Sequence, residues 1–247
     1  MNLLFEALAW ILAPEQWQGD GGLQVLLVEQ LQFTALSLGI AIVLAVPAGW
    51  LIGHTGRGRE LAVMLSGAAR AIPSFGLLIL LVLVIGVLHK PEAAIITFVL
   101  LAIPSILAGA YAGIEAIDRS VLDAASAVGM SRRQVLWRVE VPLGLPLLLG
   151  GIRSGALQIV ATVTIAAYVN LGGLGMPIIT GLALRRYDMV LGGAILVAVL
   201  ALMLDLCFGA CQRLVVPPGQ RRAARMRRKH ANLRETEDNL SALAGGR

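Results

Sequence analysis

The side chains that enzymes use are present in this chain but are never gathered. His54, His89 and His230 lie far apart in polar stretches, with no metal-ligand spacing. Cys207 and Cys211 stand four apart in an apolar run, which puts both on one helical face as small hydrophobes. No G-x-x-x-x-G-K-[ST] loop occurs, and GHTGRGRE at 53–60 lacks its lysine spacing, so no ATP site and no cofactor are expected on this chain. No nucleophile is patterned with a base and an orienting acid. Charge collects instead in LDAASAVGMSRRQVLWRVEVP, residues 122–142, between long apolar runs. Asp123, Arg132, Arg133, Arg138 and Glu140 there suit recognition by a partner rather than bond chemistry.

The elements that carry this stretch must live in lipid. Hydrophobic residues make up 57% and charged residues 14%, about half the charged share of an ordinary soluble domain. Apolar runs long enough to cross a bilayer recur, and helices are the form that satisfies their backbones there. The expected class is all-α integral membrane, with about five spans: 23–52, within 60–88, 93–114, within 142–168, and 189–211. The start, residues 1–21, has no basic leader region and carries Glu6 early. It reads as a short interfacial helix with Trp10 and Trp17 at headgroup depth. Residues 22–213 form the membrane domain, and 214–247 a polar, basic tail, disordered or surface-bound. Its arginines suit anionic lipid heads; a tethered tail without a folded basic domain does not suit nucleic acid.

Sidedness follows from the basic residues. Arg57, Arg59, Arg119, Arg132, Arg133, Arg138 and the tail fall on one side, with Lys90, Arg185 and Arg186 on the other. The positive-inside rule then places the N-terminus outside and the C-terminus in the cytoplasm. Arg70 and Arg153 fall inside or near the ends of spans. If deep, each needs a partner, and Asp205 is the natural one; snorkelling to the headgroups is the alternative.

The charged stretch spells two short helices. Ser120-x-x-Asp123 and Ser131-x-x-Gln134 are helix-start signatures, and Gly129 between them suits a left-handed helix end. Each helix covers about eight residues, roughly 12 Å, too short to span. Small Ala-rich faces and a fixed bend favour docking into a protein groove over lying on lipid. Gly129→Asp is expected to leave insertion intact and abolish coupling, on the view that the bend needs close backbone approach.

Asp123-Ala124-Ala125, three residues, Gly129, nine residues, Val139, one residue, Val141-Pro142 resembles the EAA loop of ABC importer permeases, with Asp for Glu, Val for Ile and Val for Leu. AIPSFGLL at 71–78 and LGGLGMPIITGL at 171–182 resemble segments of the permeases for glycine betaine, choline, carnitine and related osmoprotectants. The resemblance covers about 23–213 and implies a type I ABC importer transmembrane domain in a prokaryotic inner or plasma membrane. It implies a second permease subunit, identical or paralogous, and an extracytoplasmic substrate-binding protein. It also implies cytoplasmic ATPase subunits, which hold ATP and Mg and grip the loop helices, so that this chain is not itself an enzyme. Asp123, Ala124, Ala125, Gly129, Arg132, Arg133, Val139 and Pro142 then form the ATPase-coupling motif.

Pro73 and Ser74 interrupt a span and mark a gate, a path wall or a plain kink. Thr34, Ser37, Gln158, Thr162 and Thr164 are intramembrane polar groups that line a path or bond between helices. Gly49/Gly53, Gly109/Gly113 and Gly151/Gly155 permit close helix approach without saying where. The nearest alternative cargo is an amino acid such as methionine. The alternatives of another class are an integral membrane enzyme, which paired intramembrane acids would support, and a scaffold without a path.

Overall fold

The structure is a computed structural model describing residues 2–215; the basic tail from 216 onward lies outside the described residues. The described chain is helical throughout: α1 Asn2–Leu12, α2 Leu23–Thr55, α3 Arg59–Ala71, α4 Ser74–Ile85, α5 Lys90–Glu115, α6 Arg119–Ala127, α7 Arg132–Val135, α8 Val141–Ala166, α9 Met176–Leu184 and α10 Tyr187–Val215. Four helical runs are long and apolar enough to cross a membrane: Leu23–Thr55, Val87–Glu115, Arg132–Val169 and Tyr187–Val215.

The expected second span is not one helix. Ile72 and Pro73 are both extended, which separates α3 from α4. Proline has no N–H to continue the ladder, and its ring pushes the preceding residue out of the helical region. Pro47, Pro104 and Pro146 lie inside α2, α5 and α8, which continue through them.

The centre of the bundle is α5, which packs along α2 on one side and α8 on the other. Glycines set that approach. A Cβ on Gly109 would lie 2.8 Å from the Gly151 Cα, and one on Gly113 would lie 2.6 Å from the Gly144 carbonyl oxygen. Gly49 and Gly53 sit against α5 in the same way, at Leu107–Ala110 and Tyr111–Ile114. Phe98, Ile106, Leu78, Ile159 and Val163 fill the buried layer between these helices. At about 25 cal/mol per Å² of apolar area, each large buried side chain contributes roughly 1.5–3 kcal/mol against an aqueous reference. Helix association inside lipid draws instead on close packing.

α1 is a short helix docked on the bundle. It packs on α10, with Trp10 buried against Gly192. Trp17 donates its indole N–H to the Ile11 carbonyl at 2.7 Å. The outer face of α1, with Leu4, Phe5 and Leu12, remains exposed and apolar.

Candidate functional site

Two features stand out: an elbow between α5 and α8, and a Gly-rich loop between α8 and α9. In the elbow, α6 begins two residues earlier than Ser120 implied. Asp118 is the cap, its carboxylate accepting from the Ser120 N–H at 3.0 Å. That backbone donor, with the Ser120 hydroxyl, holds the Asp118 carboxyl below the usual carboxylate range. Asp123 therefore lies within α6 as an exposed charge beside exposed Ala124, while Ala125 turns inward.

Gly129 closes α6 at φ +83°. Its N–H reaches the Ser126 carbonyl, and the Met130 N–H reaches the Ala125 carbonyl at 3.2 Å, a Schellman-type end. No atom lies within 4 Å of a Cβ built on Gly129, so the bend needs its left-handed backbone and not close approach. Ser131 caps α7 with a full capping box to Gln134, accepting from the Gln134 N–H at 3.4 Å while the Gln134 side chain accepts from the Ser131 N–H at 2.8 Å.

The second helix does not stop after eight residues. α7 runs through a π-helical turn, Leu136–Glu140, directly into α8. The Val141 N–H reaches back to the Leu136 carbonyl, and this wider turn admits Pro142, which has no N–H to give. Val139 is half-buried in that turn, and Arg132, Arg133 and Arg138 are exposed. Two contacts join the turn to α2. His54 Nδ1 lies 2.6 Å from the Glu140 carboxylate, which is buried, and Trp50 meets Trp137 edge to face at 5.6 Å. Arg59 and Glu115 pair at 2.7 Å at the same end of the bundle. A cleft of about 430 Å³ lies between the end of α2 and the elbow, lined by His54, Arg57, Met130 and Arg132 among others.

At the other end, the loop 170–175 is held by side chains from distant helices. Gln30, fully buried in α2, donates to the Val160 carbonyl at 3.0 Å and accepts from the Leu174 N–H at 3.2 Å. Its neighbour Glu29 accepts from the Gly173 N–H at 2.9 Å. Lys90 donates to the Asn170 carbonyl at 2.6 Å. Sequence reasoning passed over Glu29 and Gln30; two strongly polar residues inside the apolar stretch of 23–52 were the available signal.

The intramembrane polar residues divide. Thr34 and Thr162 are buried and donate to the Gln30 and Gln158 carbonyls of their own helices, so in this conformation neither hydroxyl lines open space. Thr164 likewise donates to the Val160 carbonyl, and Ser37 is buried with no hydrogen-bond partner. Gln158 and Pro73 are exposed, and Ser74 is half-buried. Arg153 meets Asp205 in a two-pronged pair, Nε and one terminal nitrogen each 2.5 Å from a carboxylate oxygen, tying α8 to α10. Gln212 adds a bond to the Pro146 carbonyl at 2.7 Å. The side chain of Arg70 lies outside the described ones.

Residues 41–218 match the family described as binding-protein-dependent transport system inner membrane component. The chain belongs to that family. It is 32% identical over 193 residues to a carnitine transport permease protein of Listeria monocytogenes, covering 78% of this chain and 87% of the relative. It is 32% identical to an osmoprotectant import permease of Salmonella typhimurium, covering 81% and 95%. It is 28% identical to a glycine betaine/carnitine/choline transport system permease of Bacillus subtilis, covering 77% and 87%. Among solved structures it is similar to the inward-facing methionine ABC transporter MetNI, with TM-score 0.71, 20% identity, and 83% and 99% of the two chains covered. It is also similar to a bacterial alginate ABC transporter, with TM-score 0.62, 16% identity, and 87% of each chain covered. The fold is that of the type I ABC importer permeases. In this multi-pass inner-membrane permease the elbow is the exposed structure between two central helices, α5 and α8.

Proposed function

We propose that this permease works in an ATP-driven importer of small osmoprotectants such as glycine betaine, choline or carnitine. The observation that carries the mechanism is the elbow: two capped helical pieces, bent at Gly129, with exposed Asp123 and Arg132, Arg133 and Arg138 beside exposed Val121 and Val128. Such a surface suits a groove on a cytoplasmic ATPase, with the arginines facing acidic side chains and the two valines seated in apolar contact. Because α7 runs unbroken into α8, and His54–Glu140 and Trp50–Trp137 join it to α2, a shift of the gripped elbow moves two central helices together.

ATP and Mg belong to the partner ATPases, and this chain supplies the path and the lever. A second permease copy or a paralogue completes the path, and an extracytoplasmic binding protein delivers cargo to the end of the bundle that holds the Gly-rich loop. The N-terminus is outside and the C-terminus cytoplasmic. The names of the relatives favour osmoprotectants. The likeness to the methionine transporter, at 20% identity, speaks for the fold alone.

Uptake of radiolabelled glycine betaine, choline, carnitine and methionine into proteoliposomes, with the ATPase and binding protein supplied, tests the reading. ATP-dependent uptake of a quaternary ammonium and none of methionine is expected; the reverse result overturns the cargo. A cysteine introduced at Gly129 is expected to react with impermeant reagents only from the cytoplasmic side. Labelling from outside in intact cells overturns the orientation.

A further inference from the structure

The break between α3 and α4 lies where an apolar segment would otherwise cross the bilayer, and it is open to the surroundings. Ile72 is 45% exposed and Pro73 is exposed. Pro73 brings no N–H, so the helical bond it would have given to the Ala69 carbonyl cannot form. Backbone in this state is not tolerated against lipid; it stands where it faces another protein surface or a water-lined cavity. Broken helices near the middle of a membrane are also where transporters place their cargo sites.

An aromatic pair stands directly beside this break. Phe75, in the first turn of α4, meets Tyr168 with ring centroids 5.2 Å apart at 61°. The other aromatic pairs among the described residues are Phe33–Phe98, with Phe98 fully buried, and Trp50–Trp137 at the elbow. Phe75 and Tyr168 are 38% and 59% exposed, so part of each ring is open in the single chain.

The two rings are mounted differently. Tyr168 sits on the short turn Ala167–Val169, followed by Asn170 at φ 54°. Lys90 holds that turn through the Asn170 carbonyl, and Glu29 and Gln30 hold the backbone just beyond it. Phe75 rides on α4, two residues past the extended pair Ile72–Pro73. One ring is fixed to α2 and α5, and the other is carried by α4, which buries Leu78 and Val82 in the core and is set off from α3 by the extended pair.

We infer that Phe75 and Tyr168 form a recognition contact in the translocation path for a soft, weakly hydrated organic cation, of the quaternary ammonium class. The inference rests on the osmoprotectant reading above. Aromatic faces are negative and attract a cation without stripping it onto a fixed carboxylate, so the ion is held and then released.

The test uses the assembled transporter in proteoliposomes with radiolabelled glycine betaine at saturating loaded binding protein. Phe75 is replaced by phenylalanines carrying one, two and three ring fluorines, which weaken the face's negative potential with little change in shape. A stepwise fall in uptake, roughly 3- to 30-fold across the series, is expected from a cation–ring contact. Tyr168→Phe is expected to retain uptake and Tyr168→Leu to lose it by a similar factor. A flat fluorination profile in a transporter that takes up glycine betaine, or a Tyr168→Leu variant at the native rate, overturns the contact and leaves the osmoprotectant reading standing. Failure of the native complex to take up any quaternary ammonium overturns that reading and this inference with it.

Discussion

The elbow's dependence on Gly129 can be tested as a backbone requirement with a calculable size. Gly129 sits at φ +83°, and no atom lies within 4 Å of a Cβ placed there, so a side chain meets no steric obstacle within the chain. The whole cost of a substitution is the left-handed backbone, roughly 1–2 kcal/mol for an ordinary L residue and more for a β-branched one. At 1.4 kcal/mol per tenfold, the bent form becomes roughly 5- to 30-fold scarcer relative to straightened or frayed alternatives. Asparagine and aspartate visit this region more readily, which reverses the expectation from sequence that Gly129→Asp abolishes coupling. Co-purification of the ATPase with membrane-inserted variants, together with substrate-stimulated ATP hydrolysis, reads the effect. Gly129→Asn is expected near the native level, Gly129→Ala lower, and Gly129→Val lowest, all with normal insertion. If Asn and Val variants lose the ATPase equally, crowding at the partner surface is the cause and the backbone argument fails. If Gly129→Val grips the ATPase as the native chain does, the bend is not the recognised shape.

Other substitutions probe the packing that backs this lever. Gly113→Val drives a side chain into the Gly144 backbone and is expected to cost about 3 kcal/mol or more, seen as lost monodisperse protein in size-exclusion chromatography. Gly39→Ala, with open space around it in α2, is expected to keep or raise the melting temperature. Removing Arg153 alone is expected to lower the melting temperature more than removing Arg153 and Asp205 together, since the single change strands a charge; a double loss equal to the sum of the two single losses would mean that the pair is not coupled. His54→Ala leaves the buried Glu140 carboxylate without its partner and is expected to destabilise by about 3 kcal/mol in a thermal melt, with Glu140→Gln much milder.

Sequence alone determined what depends on neighbours a few residues away. Long apolar runs declare helices in lipid, because an unpaired backbone there is prohibitive. Gly129 and the Ser131–Gln134 box were legible because caps are local hydrogen-bond geometry. The same locality explains the misreading of the first cap. Asp118 and Ser120 both satisfy cap chemistry, and the difference between them is two residues of register.

Tertiary structure decided what depends on distant partners. Nothing near Gly109 in sequence announces Gly151, and nothing near Gln30 announces Leu174, because such pairs are set by how separate helices cross. Pro73 breaks its helix while Pro47, Pro104 and Pro146 do not, though all four carry the same missing donor. Burial does not separate them: Pro104 is buried and Pro146 half-buried, but Pro47 is exposed and α2 still runs through it. Tertiary structure also decided the joining of α7 to α8, since the π turn that admits Pro142 is fastened to α2 by His54 and Trp50, residues more than eighty positions away in sequence.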